Sequence, residues 1–363
     1  MNTNRRLSAT GSEDFERRMH SSLQSMGRSI AEVMGPRFVA LILGGGYGRG
    51  EGACIVKDGK EFPYNDFDLF IVTKGPSDLP KAIQDITAGY GKQLEIEVDI
   101  GVPLPIEALA KLPHSLMFQD LLDGHVVITG DPNVLSTRVP AHMADPLPAV
   151  EALRLLLNRG AGLLQAIQEA SRMESDTTHR LPDPDFIRRN QQKCALALGD
   201  SLLIAKGLYR PPLHSRRSLL QEHIEEMLPV GCDTILANYI QAADFKLNPQ
   251  SLAERQPNVA ELEVQAREWV RMLLWTEQLR TGGSWPDAAS YADDTFVREP
   301  LQHTPRNVAR NVLKQLKKGT FSWKYPREAL YGSLAVLLDN VQYRDHSWND
   351  RANAFLAIWR TCN

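Results

Sequence analysis

The residues in this chain best suited to chemistry are two aspartates in NDFDLFIV (65–72). Asp66 and Asp68 stand two apart in a run that reads as a β-strand, so their carboxylates leave the same face, about 6–7 Å apart at the backbone. Like charges at that distance repel, and a cation between them removes the repulsion. Oxygen ligands of this kind suit Mg²⁺, which takes one or two carboxylates and completes its shell with water and phosphate. Taken alone, a strand cap and a solvated edge residue explain the pair equally well. A second run, LEIEVDIGV (94–102), alternates with period two and puts Glu95, Glu97 and Asp99 on one face. That face is either wet or the source of a third carboxylate for a two-metal site. Asp99 is the first candidate and Glu97 the reserve.

A third feature lies upstream. GGGYGRGEG (44–52) follows the apolar run FVALIL (38–43). Glycine at this density costs backbone entropy on folding, so it implies a close backbone approach to something. No register of the segment satisfies G-x-G-x-x-G, and no Gly-Lys-Ser/Thr follows, so two common phosphate loops are excluded.

These elements need a scaffold. Phe15, Met19, Leu23, Met26, Ile30 and Val33 recur at helical spacing, giving a leading helix over 12–34 that Gly35-Pro36 stops. FVALIL is a strand, 54–62 a hairpin turning at Asp58-Gly59, 66–72 a strand, 78–93 a helix, 94–102 a strand and 125–130 another. From Ala149 onward the periodicity is helical almost throughout. The expectation is an α+β protein, with an N-terminal mixed-sheet domain over 1–145 and an all-α domain over 146–363.

Composition sets outer limits. The chain has 363 residues, 43% hydrophobic and 23% charged, with a net charge of −3, so it is not built to coat nucleic acid as a whole. Cys54, Cys194, Cys232 and Cys362 are scattered, with neither zinc spacing nor a disulfide framework. No apolar stretch follows the first basic residues and no run reaches membrane-spanning length, which leads us to expect a cytoplasmic protein without a membrane partner.

In order along the chain, GGYGRGEG, NDFDLFIV and EVDIG resemble the DNA polymerase β-type nucleotidyltransferases, in particular the branch of minimal and aminoglycoside nucleotidyltransferases. The resemblance covers roughly 37–135. It implies an enzyme that moves a nucleoside monophosphate from a nucleoside triphosphate, expected to be ATP, to an acceptor hydroxyl with release of pyrophosphate. It implies Mg²⁺ or Mn²⁺ held by Asp66, Asp68 and Asp99, which are then the catalytic residues. It also implies a phosphate cradle at Gly45, Gly46, Arg49 and Gly50. The sequence departs from the family in two places. Gly46 stands where a serine is usual, which would shift phosphate contact to backbone N–H groups or Arg49. The interval from Gly46 to Asp66 is long, as an inserted hairpin would make it. If Arg49 is instead structural, Glu51 is its nearest partner.

In such proteins the helical domain commonly supplies the acceptor site. Asp200, flanked by Lys193 and Lys206 on the most apolar helix, is a candidate for that role or for a structural ion pair. Arg306, Arg310, Lys314 and Lys318 recur every four residues and form either a solvated face or a track for RNA phosphates. An RNA- or protein-modifying transferase is therefore an alternative. A second is a HEPN-type ribonuclease or RNA-binding helical domain, on the loose pattern of Arg217 and His223, beside a nucleotide-sensing first domain.

Overall fold

A computed structural model describes residues 5–362, apart from 76–77, 141–144, 176–182, 228, 231, 254, 297, 300 and all of 301–325 except 305, 309, 312 and 313. The protein is α+β. The chain forms two compact units: 1–147 with 209–218 and 243–253, and 148–208 with 219–242 and 254–363.

The first unit begins with α1 (Glu13–Met34), whose N-cap Ser12 accepts a hydrogen bond from the Phe15 amide. Then follow β1 (Phe38–Leu43), a short helix α2 (Gly45–Arg49), and the hairpin β2 (Ala53–Lys57) and β3 (Lys60–Tyr64). Asp58 and Gly59 both have positive φ, as a tight hairpin turn demands. Next come β4 (Asp66–Thr73), α3 (Lys81–Leu94), β5 (Glu97–Ile100), β6 (Leu104–Pro105), α4 (Leu116–Asp123) and β7 (Val126–Gly130).

The main sheet runs β5-β4-β1-β7, with β6 also pairing with β4. β1 is antiparallel to β4 and β7, whereas β5 and β6 are parallel to β4. Alternation along the strands assigns the two faces. Leu41, Leu43, Phe67, Leu69 and Ile71 pack with Phe15, Met19, Leu23 and Ile30 of α1 and Ile83 of α3. Ala40, Ile42 and Val72 pack on the other face with Leu109, Phe118 and Leu121. Asp66 and Asp68 share the strand parity of Val72, so the half-buried acidic end of β4 continues the face of this second core.

Two sequence expectations change. GGYGR is a helix of five residues and not a loop. Strand 94–102 shrinks to Glu97–Ile100 because α3 runs on through Leu94 and Glu95 takes a left-handed conformation to cap it. Glu95 therefore leaves the acidic face and pairs with Lys57 at 3.4 Å.

The second unit contains α5 (Val150–Ser175), α6 (Pro184–Ala205) and α9 (Val259–Thr281), which pack together around buried Leu156, Leu163, Leu198 and Trp269. Later helices are α10 (Ala288–Asp293), α11 (Pro326–Asp339) and α12 (His346–Cys362). Two helices carry residues of both units: α7 (Leu213–Met227) and α8 (Ile235–Leu247). No helix among the described residues is long and apolar enough to cross a membrane. All four cysteines are free.

Candidate metal and nucleotide site

Parallel pairing of β4 with β5 puts Asp68 opposite Asp99 and Asp66 opposite Glu97. Side-chain oxygens of Asp66, Asp68 and Asp99 all lie within 4.8 Å of one another. Glu97 is exposed and outside this cluster. Three carboxylates from two adjacent strands, with Asp99 exposed, form a donor set consistent with a divalent cation.

The glycine segment meets this cluster directly. The Gly44 amide donates to the Asp68 carbonyl at 2.8 Å, tying the start of α2 to the metal strand. Gly45 has φ of +59°, and a Cβ placed there would sit 1.8 Å from Asp68 Oδ2. The close approach that this glycine permits is therefore to the carboxylate of Asp68. Gly46 is different: a Cβ there would make only ordinary van der Waals contacts, the nearest with the Glu51 carbonyl oxygen at 3.6 Å. Gly50, in left-handed conformation, closes the helix, its amide bonding the Gly46 and Tyr47 carbonyls. Tyr47 packs edge-on against Phe67 and donates to the Ala53 carbonyl at 2.6 Å, which anchors the hairpin.

Arg49 lies at the far end of α2 with its side chain only 8% exposed. Its Nε donates to Glu51 at 3.1 Å and its guanidinium to Asp120 of α4 at 3.2 Å. Two carboxylates thus occupy the guanidinium that the resemblance assigns to phosphate. The same two acids hold the returning segments of the unit. Glu51 accepts the Leu213 amide at 2.6 Å and lies 3.5 Å from Lys246 Nζ, while Asp120 accepts the Tyr209 hydroxyl at 2.9 Å.

Burial, reinforced by Arg216 and Arg49, pushes the Lys246 ammonium from 10.5 down to about 8. Between that value and 10.5 the unfolded chain binds the proton that the folded chain has released, so stability rises with pH there. We expect urea unfolding at pH 7.5, 9 and 10 to show this rise in the wild type. It should be absent from Lys246→Met; equal slopes in both proteins would contradict the assignment.

Of the remaining sequence candidates, Asp200 lies on α6, buried, and accepts the Tyr239 hydroxyl at 2.8 Å; Lys193 lies on the same helix. Arg217 pairs with Asp244 at 2.8 Å, and His223 neighbours Glu222 at 3.9 Å. Arg306, Arg310, Lys314 and Lys318 lie outside the described residues. Asp120, Tyr209 and Lys246 had no motif to mark them, and only the fold brings them to Arg49.

No protein-family model and no curated protein matches the chain. Among solved structures it is similar to a nucleotidyltransferase-like protein from Exiguobacterium sibiricum, at 11% identity over 83% of this chain and 92% of that one. The TM-score of 0.27 is too low to carry an argument. The chain's own elements carry it instead. A glycine helix abuts an Asp-x-Asp strand, and a parallel neighbour supplies a third aspartate, so the first unit holds a carboxylate triad beside a glycine helix. This is the arrangement that the motif resemblance to the minimal and aminoglycoside nucleotidyltransferases leads one to expect.

Proposed function

We propose that the protein is a nucleotidyltransferase that passes a nucleoside monophosphate from a nucleoside triphosphate, ATP by expectation, to an acceptor hydroxyl. The observation that carries this reading is the convergence of Asp66, Asp68 and Asp99 at the start of the glycine helix, with Gly45 against Asp68. All three ligands are oxygens, which fits Mg²⁺ or Mn²⁺. A divalent cation bound there would neutralise the phosphates and lower the pKa of the attacking hydroxyl. Asp66 and Asp68 would hold it from one strand, and Asp99, from the neighbouring strand, would be the third ligand and candidate proton acceptor. The first amides of α2 have no partners within the helix, and Gly45-Gly46 lets phosphate approach them without a side chain between. Gly50 serves by ending the helix, and Arg49 by anchoring it. In-line attack on the α-phosphorus then forms one P–O bond and breaks another, with pyrophosphate leaving.

The test uses each of the four nucleoside triphosphates, labelled at the α or the γ position, with Mg²⁺ and a panel of aminoglycosides, RNA and proteins. Transfer of α label with release of γ label supports the reading and names the acceptor class. Transfer of γ label would overturn it in favour of a kinase. RNA as sole acceptor would favour the RNA-modifying alternative.

The serine position gives a further expectation. A Cβ at Gly46 meets nothing closer than ordinary van der Waals contact, so Gly46→Ser should fold with stability within about 0.5 kcal/mol of wild type. The added hydroxyl should lower the KM for the triphosphate. A raised KM with an intact fold would mean that phosphate passes too close to the backbone for any side chain at 46.

A further inference from the structure

The nucleotide helix is fixed at both ends, but only one end belongs to the metal site. Gly45 presses on Asp68 at its start, and four helical steps, about 6 Å, separate that contact from Arg49. Past Arg49 the Glu51 amide bonds back to the Gly46 carbonyl at 2.8 Å, so any movement of Glu51 reaches the phosphate-facing glycines through one hydrogen bond. Glu51 itself is held by Arg49, the Leu213 amide and Lys246, and Asp120 by Arg49 and the Tyr209 hydroxyl. Leu213, Tyr209 and Lys246 come from the two segments, 209–218 and 243–253, that return to this unit from far along the chain.

We propose that Glu51 and Asp120 are positioning residues for nucleotidyl transfer. Through Arg49 they lock the far end of the glycine helix to the returning segments, and so fix Gly45 against the Asp68 carboxylate. This rests on the function proposed above. Neither acid touches the triad: their effect passes through the helix. A buried ion-pair set is poor evidence for stability, because desolvation offsets its attraction, but fixing one geometry is a use it can serve. Lys246 is the adjustable member. The charged groups that act on it are Glu51 and Asp120, which favour its charge, and Arg49 and Arg216, which oppose it. With the Lys246 proton lost above about pH 8, Glu51 keeps Arg49 and Leu213 but loses the positive charge of Lys246.

The experiment compares Glu51→Gln, Asp120→Asn, Lys246→Met and Lys246→Arg in the full chain. Thermal stability, Mn²⁺ affinity by electron paramagnetic resonance without nucleotide, and kcat and KM from pH 7 to 9.5 are measured. Glu51→Gln and Asp120→Asn should weaken Mn²⁺ binding and lower kcat about 10- to 100-fold, as loss of outer-shell support typically does, with a smaller change in KM. Should either fail to fold, Lys246→Met decides, because its removal takes out a charge that burial disfavours. It should lower kcat at pH 7, and Lys246→Arg should restore it. The ratio of Lys246→Arg to wild-type rate should also climb above pH 8, by the factor that Lys246→Met costs at pH 7. Folded variants with wild-type Mn²⁺ affinity and kcat, and a flat ratio, would overturn the inference while leaving the transferase reading intact. A wild type that neither binds Mn²⁺ nor transfers nucleotide would remove both.

Discussion

Asp68→Asn should abolish the proposed nucleotidyl transfer while leaving the protein folded, and Asp66→Asn should do the same. Each removes one oxygen charge from a cluster in which three carboxylates lie within 4.8 Å. A catalytic metal supplies several kcal/mol of charge stabilisation, so its loss should cost on the order of 10³-fold or more in kcat/KM. Folding should not suffer. In the metal-free protein the substitution relieves like-charge repulsion, so thermal unfolding without Mg²⁺ should be unchanged or shifted slightly upward. Asp99→Asn should behave alike, whereas Glu97→Gln, one register step away and outside the cluster, should stay within a few-fold of wild type. Activity of either Asp66 or Asp68 variant within tenfold of wild type would defeat the metal assignment.

Gly45→Ala is expected to be nearly as severe, for a different reason. A β-carbon at this position would overlap Asp68 Oδ2 at 1.8 Å, and the backbone there has φ of +59°, where alanine is strained. Relief requires the Asp68 carboxylate to swing away or α2 to shift, and either change spoils the metal geometry. Misplacement of reacting groups by about 1 Å can cost about 100-fold, so a loss of at least that size is expected together with weaker Mn²⁺ binding. Gly46→Ala, whose β-carbon would make only ordinary van der Waals contacts, is the internal control. If Gly45→Ala were to retain wild-type activity, the close approach of helix and carboxylate would be incidental.

Much of the first unit is written locally in the sequence. Asp66 and Asp68 share a face because any strand alternates, the hairpin turns at Asp58-Gly59 because both residues tolerate positive φ, and Ser12 starts α1 because its hydroxyl caps the Phe15 amide. Where local pattern misled, a backbone event intervened. Glu95 continues the alternation of the acidic strand, yet its left-handed conformation ends α3 and turns it toward Lys57. The ion pairs of Arg49 were legible only in part, since Glu51 stands two residues on. The phosphate assignment of Arg49 followed the resemblance, while its carboxylate partner Asp120 lies 71 residues away in a helix that no motif marks. Lys246 is 195 residues from Glu51 and reaches it only because the last turn of α8 belongs to this unit. Such contacts belong to the tertiary fold, and no periodicity announces them.

A crystal structure of the protein with Mn²⁺ and a non-hydrolysable nucleoside triphosphate, read from the anomalous signal of manganese, tests the proposed metal and nucleotide site in one measurement. A manganese peak is expected between the carboxylates of Asp66, Asp68 and Asp99, with the triphosphate lying along the start of the glycine helix. Manganese bound elsewhere with the three aspartates unliganded, or triphosphate bound away from Gly45 and Gly46, would contradict it.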